Sequence, residues 1–243
     1  MTVIERTCVE KRAPLHAVGR DWRWKATHCG LEGQEFSATG RSNGASRASY
    51  KGLYVPLLGK HQLRNAAVVL ATVEVLRERG LDIADSHVRD GLRSVVWPAR
   101  FEVMGDAPYF VVNGAHNVDS ARCLAATLRQ YFPEQRPWLV LAILNDKDIS
   151  AILEQVLPQA KGAFFARSHH PRAAEPERLQ ELAAHYDVPT AIIRDIGQAT
   201  LQALDQAGKN GLVVAAGSFT TASEAREAWL RLHNRPMPPI DPV

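Results

Sequence analysis

The chain has 243 residues, of which 46% are hydrophobic, and this is enough for one large core or two smaller ones. Its 29 basic and 26 acidic residues give a net charge of +3 without any basic block, so we expect no nucleic-acid partner. No apolar window reaches the length of about 18 residues that a membrane span needs, and the N-terminus lacks a signal-peptide core. We therefore expect a cytoplasmic protein with no membrane partner. The three cysteines, Cys8, Cys29 and Cys123, lack CxxC spacing and are expected to be small buried hydrophobic residues rather than metal ligands.

Short strand-like segments dominate the first part of the chain. They follow a predicted helix near Val3 to Lys11 and indicate a mixed or antiparallel set of strands: LHAVG (15–19), WRWKATHCG (22–30), QEFSATG (34–40) and YKGLYVPLLG (50–59). The next segment, HQLRNAAVVLATVEVLRERG, is apolar on most of its circumference, which predicts a helix buried on several sides and closed at Gly80. A second helix is predicted across IADSHVRDGLRSV, starting near Asp85 or Ser86.

The rest of the chain alternates regularly between apolar strands and amphipathic helices. The predicted strands are FEVM, YFVVN, WLVLAIL, GAFFAR, TAIIR and LVVAAG. Between and after them lie helical patterns at VDSARCLAATLRQYF, ISAILEQVL, EPERLQELAAHY, GQATLQALDQA and TASEAREAWLRLH. This order is typical of the α/β class, with a Rossmann-like, mainly parallel sheet covered on both faces. We place that domain at residues 96–243 and a smaller domain at residues 1–95.

Polar segments follow the predicted strands, where open parallel sheets bind ligands. NGAHN (113–117) fits a tight turn with Asn117 capping the next helix, and it fits a ligand site equally well. LNDKD (144–148) is favoured as a solvated loop in which Asp148 caps a helix. The adjacent His169 and His170 point in different directions and favour a surface loop. GSFTTAS (217–223) places free amide groups at a helix N-terminus, where anions bind.

Several catalytic motifs are absent from the sequence. It contains no GxxxxGK[ST] phosphate loop, no GxGxxG after a strand and no GxSxG nucleophile elbow. The residues alone therefore indicate an α/β domain whose polar rim binds a small charged ligand.

Several stretches, taken in order, carry a more specific resemblance. APLHAVGRDW, GQEF, VPLLGKHQLRNAAVVLATVEVL, WPARFEVM, VVNGAHNVDSA, NDKD, HPRA and VVAAGSFTTASEAR resemble folylpolyglutamate synthase and dihydrofolate synthase, members of the Mur ligase superfamily. The resemblance implies an ADP-forming ligase that adds glutamate to folate or dihydropteroate through an acyl phosphate, with ATP and Mg²⁺. It also implies that residues 1–95 are the end of a truncated central ATP-binding domain and residues 96–243 the complete C-terminal domain.

By motif position, the resemblance implies four residues near ATP. Asn65 in HQLRNAA would face the adenine, Arg100 in WPARFE would reach the phosphates, and Asn113 and His116 in NGAHN would contact the nucleotide. Arg100 and His116 would also be the catalytic residues. Asn113 departs from the family, which usually has Asp here, and a neutral amide is expected to bind the nucleotide more weakly.

Three further residues match substrate-binding positions. The resemblance places Ser218 near the glutamate and assigns Lys147 and Arg172 to substrate binding, and it implies no metal ligand among the residues present.

A second departure from the family is larger. The phosphate loop and the magnesium ligands of the family lie upstream of the matching region, so we expect the chain alone to be inactive and to need a separate P-loop polypeptide. Two alternatives stay open: a non-catalytic nucleotide- or partner-binding module, and a Mur-type ligase with another acceptor. An oligomer is also conceivable, because the truncation would uncover Leu53, Val55, Leu57 and Leu58.

Overall fold

The computed structural model describes residues 2–41 and 47–237. The chain divides into two compact units, residues 1–96 and residues 97–243. Each unit has a hydrophobic core of its own. The assignment of the first unit to the end of a central ATP-binding domain stays a prediction.

The first unit is a three-stranded antiparallel sheet with helices. Its elements are α1 (Thr2–Glu10), β1 (Trp22–Gly30), β2 (Gly33–Arg41), β3 (Arg47–Val55), α2 (Lys60–Glu78) and α3 (Asp85–Arg93), and the strand order is β1-β2-β3. The strand predicted at residues 15–19 is wrong: this segment contributes only one isolated bridge, from Val18 to Trp22. Its amides are used in a turn instead, because the Ala17 N–H donates to Asp21 Oδ2 (2.9 Å) and the Gly19 N–H donates to the Trp22 carbonyl (2.7 Å).

Helix α2 ends as the sequence predicts but is less buried than expected. Gly80 has a φ of 91°, its N–H donates to Arg77 O (2.9 Å), and the Leu81 N–H donates to Leu76 O (3.1 Å). This pair of bonds is a Schellman motif, which requires a left-handed residue at the position of Gly80. One side of the helix packs on the sheet, whereas Val68 and Val69 on the other side are each 48% exposed. The expectation of burial on several sides is therefore wrong for the side that carries Val68 and Val69.

Two further expectations about the first unit are wrong. Leu53, Val55 and Leu58 are at most 2% exposed and Leu57 is partly buried, so none of the four is uncovered. Leu53 and Val55 belong to the core cluster that also contains residues of α2 and α3. The cysteines are not core residues either, since Cys8 and Cys123 are half-buried and Cys29 is exposed.

The second unit is a six-stranded sheet with five α-helices around it in the described residues. Its elements are β4 (Arg100–Asp106), β5 (Tyr109–Asn113), α4 (Val118–Tyr131), β6 (Trp138–Leu141), α5 (Ile149–Val156), a 3₁₀ turn (Leu157–Gln159), β7 (Gly162–Phe165), α6 (Pro176–Ala183), β8 (Thr190–Ile192), α7 (Ile196–Ala207), β9 (Leu212–Ala216) and α8 (Phe219–Leu232). The strand order is β4-β5-β9-β6-β7-β8, and every neighbouring pair is parallel except β4 with β5. The predicted α/β class with a mainly parallel sheet is confirmed.

The central strands of this sheet are buried on both faces. Phe110 and Val112 of β5 belong to the cluster formed with α7 and α8, while Val111 between them is equally buried on the opposite face. Such two-sided burial explains the continuous apolar runs in the sequence. Within the described residues, no helix combines the length and apolarity that crossing a membrane requires.

Candidate functional site

The carboxyl ends of β5, β9 and β6 are joined into one rim. The Gly217 N–H after β9 donates to the Ala115 carbonyl after β5 (3.0 Å), and the Ala142 N–H after β6 donates to Ala216 O (3.3 Å). Strand β4 runs antiparallel to β5, and its first residue, Arg100, pairs with Asn113 at the end of β5. The reversed edge strand therefore brings Arg100 to the rim where parallel sheets bind ligands.

The backbone on either side of Arg100 is strained. Ala99 has a φ of 58° and Phe101 a φ of 55°, both in the left-handed region. Each such residue costs about 1–2 kcal/mol when it carries a side chain. A conformation of this kind persists only where its surroundings fix it, and it is concentrated at functional sites. One of the fixing bonds is the Gly114 N–H, which donates to the Ala99 carbonyl (2.8 Å).

The guanidinium of Arg100 lies over aromatic rings. Its Cζ is 4.8 Å from the ring centroid of Phe219 and 5.8 Å from that of Trp97, both within cation–π range. Both rings are partly open to solvent, Phe219 being 41% and Trp97 57% exposed. Across residues 2–41 and 47–237, no carboxylate lies within ion-pair distance of Arg100. Its charge is thus oriented without being neutralised.

The NGAHN loop forms a turn and a helix cap. Asn113 Oδ1 accepts from the Ala115 N–H (2.8 Å), and Asn117 Oδ1 accepts from the Ser120 N–H (2.9 Å) at the start of α4. The structural interpretation of this loop is therefore confirmed, while its ligand role stays a prediction. His116 Nδ1 lies 2.9 Å from the Gly114 carbonyl, which can only accept. This bond requires the proton on Nδ1, and in the neutral imidazole Nε2 is then an acceptor.

Phe219 is the residue of this rim that the sequence reasoning missed. Its ring centroid is 5.9 Å from that of His116, and a Cβ at Gly114 would lie only 2.4 Å from the Phe219 ring. Glycine at position 114 is thus what allows the ring to lie against the loop. The signal in the sequence was an aromatic residue directly after the GS turn. We call Arg100, Asn113, His116 and Phe219 the Arg100 cluster.

Ser218 is buried and caps α8. Its Oγ accepts from the Thr221 N–H (2.9 Å) and lies 2.7 Å from Thr221 Oγ1, and the Thr221 hydroxyl donates to Ala142 O (2.7 Å). Because the Thr221 proton goes to Ala142, the Ser218 hydroxyl donates to Thr221. The predicted substrate contact of Ser218 would therefore have to use its free lone pair or the neighbouring amides, since its proton is occupied.

Lys147 and Arg172 meet at one carboxylate after β6. Asp146 Oδ2 is 3.1 Å from Lys147 Nζ and 3.0 Å from Arg172 Nη1. The hydrogen bond from Lys147, with the charge of Arg172, lowers the pKa of Asp146. Lys147 and Arg172, the latter from the loop after β7, therefore share one carboxylate, and Asp148 adds a second negative charge to the loop after β6. Asp148 accepts from the Ala151 N–H (3.0 Å), so the predicted cap of α5 is confirmed.

The ends of β7 and β8 carry a separate polar cleft of about 430 Å³, lined by Arg167, Ser168, His169, Glu175, Arg194 and Asp195. Its two arginines are both paired with Glu175, at 2.9 and 3.0 Å. His169 Nδ1 lies 2.9 Å from Glu224 Oε2, whereas His170 Nδ1 accepts from the Arg172 N–H, so the adjacent imidazoles have different partners as predicted. The charges of this cleft are compensated within it.

Asn65, the fourth residue predicted near ATP, lies in the first unit. It is exposed on α2, and its Nδ2 donates to Gln62 Oε1 (3.1 Å). In the part of the chain that the structure describes, no group of three or more His, Cys, Asp or Glu side chains could hold a metal ion.

Comparison with known proteins gives consistent matches. Residues 99–219 match the Mur ligase, glutamate ligase domain family. The chain is 32% identical over 202 residues to the dihydrofolate synthase/folylpolyglutamate synthase of Mycobacterium tuberculosis, a match that covers 75% of this chain and 41% of that protein.

Solved structures agree with the sequence matches. The M. tuberculosis folylpolyglutamate synthase complexed with ADP superposes with a TM-score of 0.82 at 26% identity, over 98% of this chain and 53% of that one. The bifunctional folylpolyglutamate synthase/dihydrofolate synthase of Yersinia pestis complexed with AMPPNP and Mn gives 0.76 at 27% identity, over 95% and 50%. The chain thus spans about half the length of these structures. It belongs to the Mur ligase superfamily, carries the superfamily's glutamate ligase domain and is homologous to the folylpolyglutamate and dihydrofolate synthases.

Proposed function

We propose that the chain is the nucleotide- and glutamate-binding part of an ADP-forming ligase that adds glutamate to folate or dihydropteroate. The observation that carries the proposal is the Arg100 cluster, in which an unpaired guanidinium is fixed over an aromatic ring at the rim of the sheet. The homologous enzymes and the ADP complex of one of them support the same conclusion.

The reaction needs stabilisation of phosphoryl charge more than covalent chemistry. A carboxylate oxygen of the acceptor attacks the γ-phosphorus of ATP and ADP leaves, and the glutamate amine then attacks the acyl carbon and phosphate leaves. Negative charge on phosphoryl oxygens is present in both steps, and a fixed cation lowers both barriers. We assign that task to Arg100, and the assignment is supported by the absence of a carboxylate within ion-pair distance of it in the described residues.

His116 and Asn113 would orient the nucleotide beside Arg100. The Nε2 of His116 is an acceptor that a ribose hydroxyl could donate to, because Nδ1 is bonded to Gly114 O. The Oδ1 of Asn113 is occupied by the Ala115 amide, so its Nδ2 is the group free to contact a ligand oxygen.

A carboxylate of glutamate would be bound by Lys147, from the loop after β6, and Arg172, from the loop after β7. Lys147 and Arg172 carry two positive charges against the single charge of Asp146. A carboxylate placed there would accept from the N–H donors of these two cations that Asp146 leaves free.

Binding of the triphosphate and its divalent ion would need a further segment. The described residues offer no acidic cluster for Mg²⁺, although a homologue binds AMPPNP with Mn. The exposed Val68 and Val69 face of α2 is an apolar surface on which a P-loop polypeptide would pack. On this proposal the chain binds nucleotide weakly and completes no turnover alone.

The test is nucleotide binding and ADP release by the purified chain. ADP titrated by calorimetry should bind, and Arg100→Met should weaken binding about tenfold or more, since a charge-assisted contact contributes about 1.5–3 kcal/mol. Arg122→Met is the matched control, because that exposed arginine pairs only with Asp119 on its own helix. No binding of ADP at millimolar concentration would contradict the nucleotide role.

ADP release tests the ligase role separately. With ATP, Mg²⁺, glutamate and folate or dihydropteroate, the chain alone should release no ADP. Turnover of about 1 per second or faster would overturn the proposed dependence on a P-loop segment. A P-loop polypeptide encoded beside this chain should restore ADP release that depends on one of these acceptors. Failure of that restoration would favour a non-catalytic binding module, and restoration only with another acceptor would favour a different Mur-type ligase.

A further inference from the structure

Glu102 lies two residues after Arg100, and its carboxylate accepts hydrogen bonds from two parts of the chain. Its Oε2 accepts from the Ala99 N–H (3.0 Å), on the other side of Arg100. Both of its oxygens also accept from Nε of Arg226 on α8, at 3.0 and 3.1 Å. The two side chains are only 25% and 21% exposed, so this ion pair is mostly shielded from water.

The segment that this carboxylate spans is a bulge. Arg100 pairs with Asn113 and Glu102 with Val112, so Phe101 is an extra residue without a partner on β5. Bulges with a left-handed residue normally use glycine, and here the residue is phenylalanine with a φ of 55°. Without outside support, the backbone would relax toward an ordinary strand and turn Arg100 away.

The bulge is supported from two sides. Phe101 is 2% exposed, and its ring packs against Tyr131 and Phe132 at the end of α4, with centroids 6.2 and 6.4 Å away. On the other side, Arg226 reaches Glu102 from α8, the helix whose first residue is Phe219. The ion pair thus ties the Arg100 backbone to the same helix that supplies the ring under the Arg100 guanidinium.

We propose that Glu102 and Arg226 are positioning residues that hold Arg100 over Phe219 and so set its alignment toward the nucleotide phosphates. The link to phosphates rests on the proposed function. The geometric part, that this ion pair fixes Arg100, stands independently of it. Neither residue touches the ligand in this proposal, and both act through the backbone of Ala99 and Arg100.

Glu102→Gln is the variant that tests the ion pair with little change in shape. The amide carries no charge and replaces one acceptor oxygen by an NH₂ donor, so it loses the ion pair with Arg226 and one of the two oxygens that Arg226 Nε contacts. Arg226→Lys keeps the positive charge but lacks the Nε donor, and serves as the second variant. Glu227→Gln is the matched control, because Glu227 lies next to Arg226 on α8 in an exposed pair with Arg231.

The first readout is the position of Arg100 itself, measured by NMR of the side-chain protons. The Phe219 ring current should displace the Arg100 side-chain signals upfield in the unmodified chain and in Glu227→Gln. In Glu102→Gln and Arg226→Lys this displacement should shrink toward the values of a free arginine. An unchanged displacement in both folded variants would overturn the proposal.

The second readout is the affinity for ADP. Glu102→Gln should raise the Kd by about tenfold, approaching the effect of Arg100→Met, because a misaligned guanidinium loses most of its charge-assisted contact. A double variant with Arg100→Met should add little further loss. If ring-current displacement falls and ADP affinity is unaffected, the positioning role holds and the phosphate role of Arg100 fails. If a variant is merely less stable, its folded form will keep both signals, and the proposal is then wrong.

Discussion

Asn113 differs by a single side-chain group from the aspartate that the family resemblance leads us to expect at this position. Its Oδ1 already accepts from the Ala115 N–H, and an aspartate carboxylate would keep that bond. The second oxygen of an aspartate would replace Nδ2 on the side left for a ligand. The substitution therefore changes the charge offered to the nucleotide without changing the turn.

Asn113→Asp should tighten ADP binding by about three- to tenfold if this side chain meets a ribose hydroxyl, since a charge-assisted bond exceeds a neutral one by about 1 kcal/mol. Calorimetric titration of ADP measures the change. Asn117→Asp is the control, because Asp is equally suitable as a helix cap and adds the same charge four residues away. Weaker binding by Asn113→Asp alone would indicate that position 113 faces phosphate rather than ribose.

Side-chain roles at this scale were only partly predictable from the sequence. The caps by Asn117 and Asp148 followed from local rules, because a helix start needs an acceptor within three residues. The ring of Phe219 under Arg100 could not be predicted, since it depends on how far α8 lies from a bulge more than one hundred residues earlier. The hydrogen bond that occupies the Ser218 proton could not be predicted either. It depends on Thr221, whose own hydroxyl donates to Ala142 at the end of another strand.

At the scale of elements, the turn before β1 is held by one carboxylate. Asp21 accepts two bonds from Arg20, each of 3.0 Å, and one from the Ala17 N–H. The hydrogen bond from Arg20, followed by that from Ala17, lowers the pKa of Asp21 to about 2 from its ordinary 3.8. A lowered pKa means that the folded state binds a proton less readily than the unfolded chain.

This carboxylate should make the chain acid-sensitive. Its stabilising contribution is present above pH 3.8 and is lost as the pH falls through about 2. The stability difference between the unmodified chain and Asp21→Asn, measured by urea unfolding at pH 5, 4 and 3, should therefore narrow toward low pH. Asp119→Asn is the control for removing a carboxylate, because the Asp119 side chain is 89% exposed. An equal difference at all three values would contradict the assignment.

The elements themselves were mostly predictable, and the failures have physical reasons. The four central strands, β5, β6, β7 and β9, follow from continuous apolar runs, because burial on both faces leaves no polar alternation. The edge strands β4 and β8 are only partly buried and were predicted from their place in the alternation of strands and helices. The segment at residues 15–19 has the composition of a strand, but Asp21 captures one of its amides for a turn. The sequence of α2 does not show that one of its apolar faces would be uncovered, since that depends on the layers present around it.

At the scale of the whole molecule, each unit has its own core. The second unit contains the sheet, α7, α8 and both halves of the Glu102–Arg226 pair. A chain of residues 97–243 should therefore fold alone and unfold cooperatively in urea, with a circular dichroism spectrum of an α/β protein. The matched fragment that begins at residue 103 lacks Arg100 and Glu102 and should be less stable. A non-cooperative transition in the longer fragment would show that its core depends on the first unit.

Because β4 runs antiparallel to β5, the number of residues between Arg100 and Asn113 fixes the position of Arg100 at the rim. Arg100 and Asn113 are the open ends of a single β-hairpin, and its turn, Ala107 and Pro108, lies at the far end of β4 and β5. That turn is roughly 15–20 Å from the rim, at about 3.3 Å per residue of strand. Inserting or deleting one residue there would slip β4 along β5 and move the Arg100 guanidinium off its ring without altering any residue of the cluster. The number of residues between WPARFE and NGAHN is therefore a structural requirement of the site. It is set by a turn that lies at the opposite end of the hairpin from the rim.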